Sequence, residues 1–252
     1  MLRPRVIPCL LLDGESLVKT IQFSHPRYVG DPLNVVRIFN EKEVDELIIL
    51  DITASTKQQE PNYRLIEEIA TECFMPLCYG GGIQTIDHAK RLFSLGVEKI
   101  CLQSSVLNNL NRIREFSDYF GSQSIVLSID ICKNWLGVKK LYASSLKKAL
   151  LNPWEDFITD SVKAGIGEIV LNTVYCDGTM KGMDLDLIAK ASKLVDIPII
   201  ALGGVGNLND IKVALDVGAH AVAAGSFFVF HGPHKAVLIT YPDNETLKKL
   251  VQ

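Results

Sequence analysis

Short apolar runs alternate with amphipathic stretches along the whole chain. Most of the apolar runs are continuous, which is typical of parallel strands buried on both faces. They predict eight strands, at Arg5–Leu12, Glu46–Ile52, Met75–Cys78, Lys99–Leu102, Ser124–Ile131, Glu168–Thr173, Pro198–Ala201 and Ala221–Ala224. The periodicity of the stretches between them predicts helices at Val35–Lys42, Tyr63–Glu72, Ile86–Leu95, Asn109–Phe120, Pro153–Ala164, Leu185–Leu194 and Asn209–Val217.

Alternating strands and helices predict an α/β fold. Eight such units match a (β/α)8 TIM barrel, with residues 1–252 forming one domain, and a doubly wound open sheet is the alternative. Two segments, Asp13–Pro32 and Cys132–Pro153, are predicted to be long loops. They follow the first and fifth strands, so in a barrel both would line the active face.

A repeat of half the chain favours the closed barrel. The residues Gly81-Gly82-Ile83, Gly96 and Ser104 recur 122 residues later as Gly203-Gly204-Val205, Gly218 and Ser226. Glu46-Leu47-Ile48-Ile49 and Glu168-Ile169-Val170-Leu171 have the same separation. This period is far longer than that of a solenoid repeat. It predicts a barrel built from two similar halves.

The composition of the chain argues against several classes of function and partner. The chain has 252 residues, 48% of them hydrophobic, and a net charge of −3, which argues against general nucleic-acid binding. No apolar run approaches the roughly 20 residues that span a bilayer. Met1–Arg5 leads into a strand without a signal-peptide pattern, so we expect a cytoplasmic protein with neither nucleic-acid nor membrane partners. The cysteines form no CxxC pair, and we expect no metal and no cofactor.

The repeated glycines are candidate phosphate contacts. Glycine lets the backbone approach a phosphate closely, and the N–H groups that begin a following helix attract anions. The candidate phosphate-binding residues are Gly82 and Ser104 in the first half and Asp177, Gly178, Gly204, Gly225 and Ser226 in the second. Two such sites across one barrel mouth predict a phosphorylated small-molecule ligand with two phosphates.

Over nearly its whole length the chain resembles the cyclase subunit of imidazole glycerol phosphate synthase, the HisF family. The resemblance rests on Val6-Ile7-Pro8-Cys9-Leu10, Gly30-Asp31-Pro32, Leu50-Asp51-Ile52-Thr53-Ala54-Ser55, Tyr79–Ile83, Phe120-Gly121-Ser122-Gln123, Ile129-Asp130, Gly167-Glu168-Ile169, Asp177-Gly178-Thr179 and Gly203-Gly204. It implies a (β/α)8 barrel that receives ammonia from a partner glutaminase. The ammonia passes through the barrel and attacks a ribulosyl bisphosphate-type substrate, and lysis and ring closure follow.

The resemblance also implies two catalytic carboxylates, at the ends of strands one and five. Asp130 matches the second, but the chain reads Cys9-Leu10-Leu11 where the family reads Cys-Leu-Asp, and leucine cannot transfer a proton. Asp13 would face the same side of a continuing strand. It either replaces the missing aspartate or is a loop residue before Gly14. Lys19 matches a family lysine in the first active-face loop.

At the opposite end of the barrel, the resemblance implies a ring of charges that gates ammonia. Its four residues are Arg5, Glu46, Lys99 and Glu168, and all four match the family. They lie early in strands one, two, four and six, where buried charges are costly unless they pair with one another. The alternative interpretation is a general salt-bridge ring that stabilises the barrel.

Three further segments resemble a HisF-like branch found with surface-polysaccharide genes: Ser24–Pro32, Gln59–Tyr63 and Phe230–Pro242. That resemblance implies a HisH-like glutaminase partner and a separate amidotransferase that makes an acetamidino sugar. The leading hypothesis is therefore ammonia transfer for sugar amidination. An authentic cyclase of histidine biosynthesis is the second hypothesis, which Leu11 disfavours. A structural conduit that binds no substrate is the third, which the phosphate loops disfavour.

Overall fold

The computed structural model describes residues 4–250 and has eight parallel strands in a closed sheet. The strands are β1 (Arg5–Asp13), β2 (Leu47–Asp51), β3 (Leu77–Gly80), β4 (Lys99–Leu102), β5 (Ile125–Lys133), β6 (Glu168–Thr173), β7 (Ile199–Leu202) and β8 (Ala221–Ala224). Each pairs in parallel with the next. Arg5 of β1 lies opposite Ala221 of β8, which closes the sheet. The predicted (β/α)8 TIM barrel is confirmed, and the open sheet is excluded.

Helices follow the strands around the outside of the barrel. They are α1 (Pro32–Glu41), α2 (Tyr63–Glu72), α3 (Ile86–Ser94), α4 (Asn111–Phe120), α5 (Trp154–Lys163), α6 (Leu185–Ser192), α7 (Leu208–Asp216), α8 (Ser226–Val229) and α9 (Asn244–Lys249). Side chains that accept a backbone N–H begin α1, α2, α3, α6 and α7; these are Asp31, Asn62, Thr85, Asp184 and Asn207. Such caps satisfy backbone donors at the helix start. The seven helices predicted from periodicity begin and end within a few residues of α1 to α7.

The two predicted long loops are wrong, because both contain β-hairpins. The first has strands Ser16–Ile21 and Ser24–Gly30, and the second has Lys139–Ala143 and Lys148–Ala149. Pairing of the first hairpin with β1 extends that strand to Asp13. These strands contain more polar and exposed residues than the barrel strands, so they lack the continuous apolar runs that are typical of strands buried on both faces.

Two other boundaries also differ from the prediction. Strand β3 begins and ends two residues after Met75–Cys78, because Gly80 still pairs with Cys101 on β4. The C-terminal segment Phe230–Pro242 holds a short hairpin and leads into α9, a helix that the sequence did not predict. None of the helices between residues 4 and 250 is long and apolar enough to cross a membrane.

Inward-facing side chains form three layers inside the barrel. The middle layer is apolar and buried: Ile7, Cys9, Ile48, Cys78, Cys101, Val126, Val170, Ile200, Leu202, Ala221 and Ala223. Alternate residues of a strand share a face, so β6 presents Glu168, Val170 and Asn172 inward in turn. The interior is thus charged at the N-terminal ends of the strands, which we term the base, and polar at their C-terminal ends, which we term the mouth.

Candidate functional site

A cavity of about 1100 Å3 lies at the mouth of the barrel. TIM-barrel enzymes hold their active sites at this end. The cavity is lined by the predicted catalytic residues Asp13, Lys19 and Asp130 and by the predicted phosphate contacts Gly82, Ser104, Asp177 and Gly225. A smaller pocket beside it is lined by Gly178, Gly204 and Ser226, and also by Lys19, Asp177 and Gly225. The structure therefore brings all the predicted mouth residues together.

Asp130 is buried at the end of β5, with only 3% of its surface exposed. Burial raises the pKa of its carboxyl to about 6, although hydrogen bonds from Ser144, Gln103 and Ser128 favour the ionised form. A carboxyl group with a pKa this close to neutrality can both donate and accept a proton near physiological pH. Its position and its pKa make Asp130 the best-placed acid–base group of the described cavity.

Ser144 is a site residue that the sequence did not reveal, and it lies beside Gln103 and Asp130. Ser144 Oγ contacts the Asp130 carboxylate and lies 2.6 Å from Gln103 Oε1, and Gln103 Nε2 donates to the same carboxylate. A serine hydroxyl has one proton, so it serves either Asp130 or Gln103. When Asp130 is protonated, its O–H can donate to Ser144, which then donates to Gln103. The three side chains therefore accommodate both protonation states of Asp130.

Leu11 and Asp13 lie on the same inward face of β1. Both line the cavity, and Leu12 between them packs outward into the core. Asp13 is the last residue of β1 and pairs with Ser16 across the first hairpin, so it is not a loop residue. The extension of β1 thus holds a second carboxylate at the same cavity as Asp130, one inward position closer to the solvent than Leu11.

Lys19 and Asp177 form a buried ion pair at the cavity wall. Lys19 Nζ lies 2.8 Å and 3.1 Å from the two carboxylate oxygens of Asp177, and both side chains are at least nine-tenths buried. The pair joins the first hairpin to the segment after β6. A lysine ammonium has three donors and Asp177 contacts at most two, so an anion can bind the third. The Asp177 carboxylate is negatively charged and would repel a phosphate. Its side chain is therefore suited to orienting Lys19 rather than to contacting the phosphate itself.

Both candidate phosphate sites contain buried hydroxyl groups without hydrogen-bond partners among the described residues. These are Ser226 Oγ beside Gly204 in the second half, and Ser105 Oγ beside Ser104 in the first. The Gly82 N–H makes only a long contact, 3.4 Å, with Ser55 Oγ. Buried polar groups normally have partners, so unpartnered ones at a cavity indicate a ligand. These donors, together with Lys19, suit phosphate oxygens.

The four charged residues predicted for the base form a closed ring of ion pairs. Arg5 contacts both Glu46 and Glu168, and Lys99 Nζ lies 2.9 Å and 3.0 Å from the same two carboxylates. Burial opposes the positive charges, but the two glutamates raise the pKa of Arg5 and of Lys99 above their ordinary values. Two cations and two carboxylates alternate, so the ring is neutral and closes the apolar interior from below.

Sequence comparison agrees with this architecture. A family model described as histidine biosynthesis protein matches residues 5–234. The Pseudomonas aeruginosa protein named "Putative imidazole glycerol phosphate synthase subunit hisF2" is 51% identical over 244 residues, which cover 96% of this chain and 97% of that protein. The chain belongs to the HisF family.

Other HisF-family relatives differ in their similarity. The "Putative imidazole glycerol phosphate synthase subunit hisF3" of Vibrio vulnificus is 48% identical over 255 residues, covering 100% of this chain and 98% of the relative. The "Imidazole glycerol phosphate synthase subunit HisF" of Dictyoglomus turgidum is 35% identical over 230 residues, covering 91% of each chain. This HisF-family chain is thus more similar to the two numbered proteins than to the Dictyoglomus protein.

Replacing Gly178 with alanine should destabilise this HisF-family barrel by about 2 kcal/mol or more, because two effects add. The residue has φ +71°, and a Cβ would lie 2.3 Å from the backbone oxygen of Thr20. Gly14 is a matched control, since it has φ +64° but nothing within 4 Å of a Cβ. The midpoint of urea unfolding should fall more for Gly178→Ala than for Gly14→Ala. Equal shifts would mean that the contact with the first hairpin does not constrain Gly178.

Proposed function

We propose that this chain is the synthase subunit of a glutamine-dependent ammonia-transfer complex. A HisH-like glutaminase docks at the base, and ammonia crosses the barrel to the mouth. A separate amidotransferase then uses this ammonia for the amidination of a surface-polysaccharide sugar. The observation that carries the proposal is the neutral charge ring of Arg5, Glu46, Lys99 and Glu168 beneath an enclosed apolar interior that leads to the Asp130 cavity.

The interior suits ammonia better than ammonium. Burying an unpaired charge in an apolar environment is costly, whereas neutral ammonia has no net charge to desolvate. Small side chains line much of the middle layer, among them Cys9, Cys78, Cys101, Ala221 and Ala223. The side chain of Lys99 is 21% exposed, so it can leave the ring towards the base surface, whereas Glu46 is almost fully buried. Movement of Lys99 is therefore the simplest way to open the ring.

Leu11 favours sugar amidination over cyclisation. Ring closure needs one group that donates a proton and another that accepts one. Leu11 stands on the inward face of β1, where a carboxylate would face the cavity, and it can do neither. Two relatives, at 51% and 48% identity, have the numbered names hisF2 and hisF3, which also support an additional HisF-type subunit. The phosphate-suited donors would then hold a phosphorylated ligand at the mouth.

An authentic cyclase is the second candidate, because Asp13 shares the cavity with Asp130. In that case Asp13 supplies the second carboxylate, and the chain is the lyase subunit of imidazole glycerol phosphate synthase. The pKa of Asp130, raised to about 6 by burial, suits either candidate.

One assay separates the two candidates. The ribulosyl bisphosphate-type cyclase substrate is supplied with an ammonium salt, and formation of imidazole glycerol phosphate is followed. The Dictyoglomus turgidum protein serves as the comparator. We expect turnover far below that of the comparator. Turnover equal to it would overturn the amidination proposal in favour of the cyclase. Size-exclusion chromatography with a HisH-like glutaminase tests the docking step, and the absence of a complex would contradict both candidates.

Lys99→Ala should uncouple glutamine hydrolysis from ammonia transfer without unfolding the barrel. The substitution leaves both glutamates paired with Arg5 alone, so the ring opens at one side. Free ammonia per glutamate formed should rise in the glutaminase complex, while transfer from added ammonium salt should not change. Lys163→Ala is the matched control, because this lysine is 74% exposed on α5. Unchanged coupling in Lys99→Ala would argue against the ring as a gate.

A further inference from the structure

Asn172 is a buried polar residue that none of the roles above uses. It lies on β6 with 6% of its surface exposed, and its side chain lines the floor of the mouth cavity. Its Oδ1 atom has no hydrogen-bond partner among the described residues. Leaving a buried acceptor without a hydrogen bond is costly, because the atom loses its contacts with water and gains none in return. Such an atom facing a cavity is expected to contact a ligand.

The position of Asn172 relates it to both the apolar interior and the reacting groups. Val170, two residues earlier on the same face, belongs to the apolar layer, so Asn172 is the first polar side chain above that layer on β6. It lies about 13 Å along the strand from Glu168 in the charge ring. In the ladder between β5 and β6 it is directly opposite Asp130. A molecule that leaves the interior along β6 meets Asn172 beside Asp130.

We propose that Asn172 Oδ1 binds ammonia where the barrel interior opens into the cavity. This inference rests on the proposed function. Ammonia has three N–H donors and one lone pair, so accepting one N–H leaves the lone pair free to attack an electrophile. A carboxylate at this position would favour ammonium, which has no lone pair. A neutral amide oxygen holds the nitrogen without promoting its protonation.

The surroundings of Asn172 leave room on its acceptor side. A Cβ on Gly203 would lie 3.1 Å from Oδ1, so glycine keeps the space beside the oxygen open. On β7, the ladder partner of Asn172 is Leu202, an apolar residue that also lines the cavity. Asn172 thus presents a single acceptor against an apolar neighbour, an arrangement that suits one small neutral donor.

A direct test observes the side-chain amide of Asn172 by NMR in the full 15N-labelled chain. Its resonances are assigned by their loss in Asn172→Leu. Ammonium chloride and potassium chloride are titrated separately at a pH near the pKa of ammonium, where much of the added nitrogen is ammonia. We expect a saturable shift with ammonium chloride only. Equal responses to the two salts, or no response, would mean that Oδ1 binds water only, and would overturn the proposal.

Kinetics provide the second test. Asn172→Leu should raise the KM for ammonium about three- to tenfold, the loss expected for one hydrogen bond, and should leave the KM for the acceptor unchanged. Asn172→Thr retains an acceptor oxygen and should restore the KM for ammonium. If Asn172→Leu still transfers ammonia with an unaltered KM for ammonium, the proposed ammonia site is wrong but the proposed function stands. If the NMR shift is specific to ammonium but the protein transfers no ammonia, the ammonia site is supported and the proposed function is wrong.

Discussion

Replacing Leu11 with aspartate should raise the rate of the cyclase reaction by about 100-fold or more, the contribution typical of one general acid or base. Leu11 lies on the inward face of β1 and lines the cavity, so a carboxylate there faces the same ligand space as Asp130. Imidazole glycerol phosphate formed from the bisphosphate substrate and ammonium is the measurement. Leu11→Asn is the matched control, because asparagine has nearly the same shape as aspartate but transfers no proton at neutral pH.

The pH profile of Leu11→Asp should identify the acid. Burial raises the pKa of Asp130 to about 6, so Asp130 loses its proton as the pH rises through that value. If Asp130 is the proton donor, the rate should fall about tenfold per pH unit above about 6. A rate in Leu11→Asp no higher than in Leu11→Asn would contradict the role assigned to this position. If the wild-type chain already matches an ordinary cyclase, Asp13→Asn should abolish its activity.

Replacing Glu168 with glutamine should destabilise the barrel by about 3 kcal/mol, because it leaves one excess positive charge in the ring at the base. Glu168 contacts both Arg5 and Lys99 and is 5% exposed. The side chains of Arg5 and Lys99 are 29% and 21% exposed, so water offsets part of the imbalance and the cost stays near the lower end of the range for broken buried pairs. The free energy of unfolding in urea measures it.

The double variant Lys99→Met/Glu168→Leu is the informative control for this prediction. It removes one charge of each sign and leaves Arg5 paired with Glu46, so the ring stays neutral. We expect the double variant to be more stable than Glu168→Gln, because apolar replacement of a buried pair is often neutral or stabilising. If both variants lost the same stability, packing rather than charge balance would explain the loss.

The barrel could be predicted from the sequence because its signals are local. Continuous apolar runs such as Ile169-Val170-Leu171 belong to strands buried on both faces, and glycines such as Gly81 and Gly203 follow barrel strands. The hairpins could not be predicted in the same way. Ser16–Ile21 reads as an exposed loop in isolation, and its structure depends on pairing with β1 and on the ion pair of Lys19 with Asp177.

Much of the mouth was also accessible from sequence, since residues that follow barrel strands share one end of the sheet. Gly82 and Asp177 were placed on that basis, and Asp130 was placed by the resemblance to the HisF family. Ser144 was not, because it reaches Asp130 from a segment with no distinguishing pattern and its partner is fixed only by the fold of the second hairpin. Likewise, an asparagine in a buried strand carries no sequence signal that its oxygen, as in Asn172, lacks a partner.

The charge ring has a consequence for how the two halves can have diverged. Glu46 and Glu168 are equivalent positions, 122 residues apart, but the equivalent of Lys99 is Ala221. Ala221 is fully buried and pairs with Arg5 across the closing strands. Exact duplication would give a lysine at position 221, which would place a third cation next to Arg5. Only two carboxylates would then balance three positive charges. The barrel can enclose these charges only because its symmetry is broken at this residue.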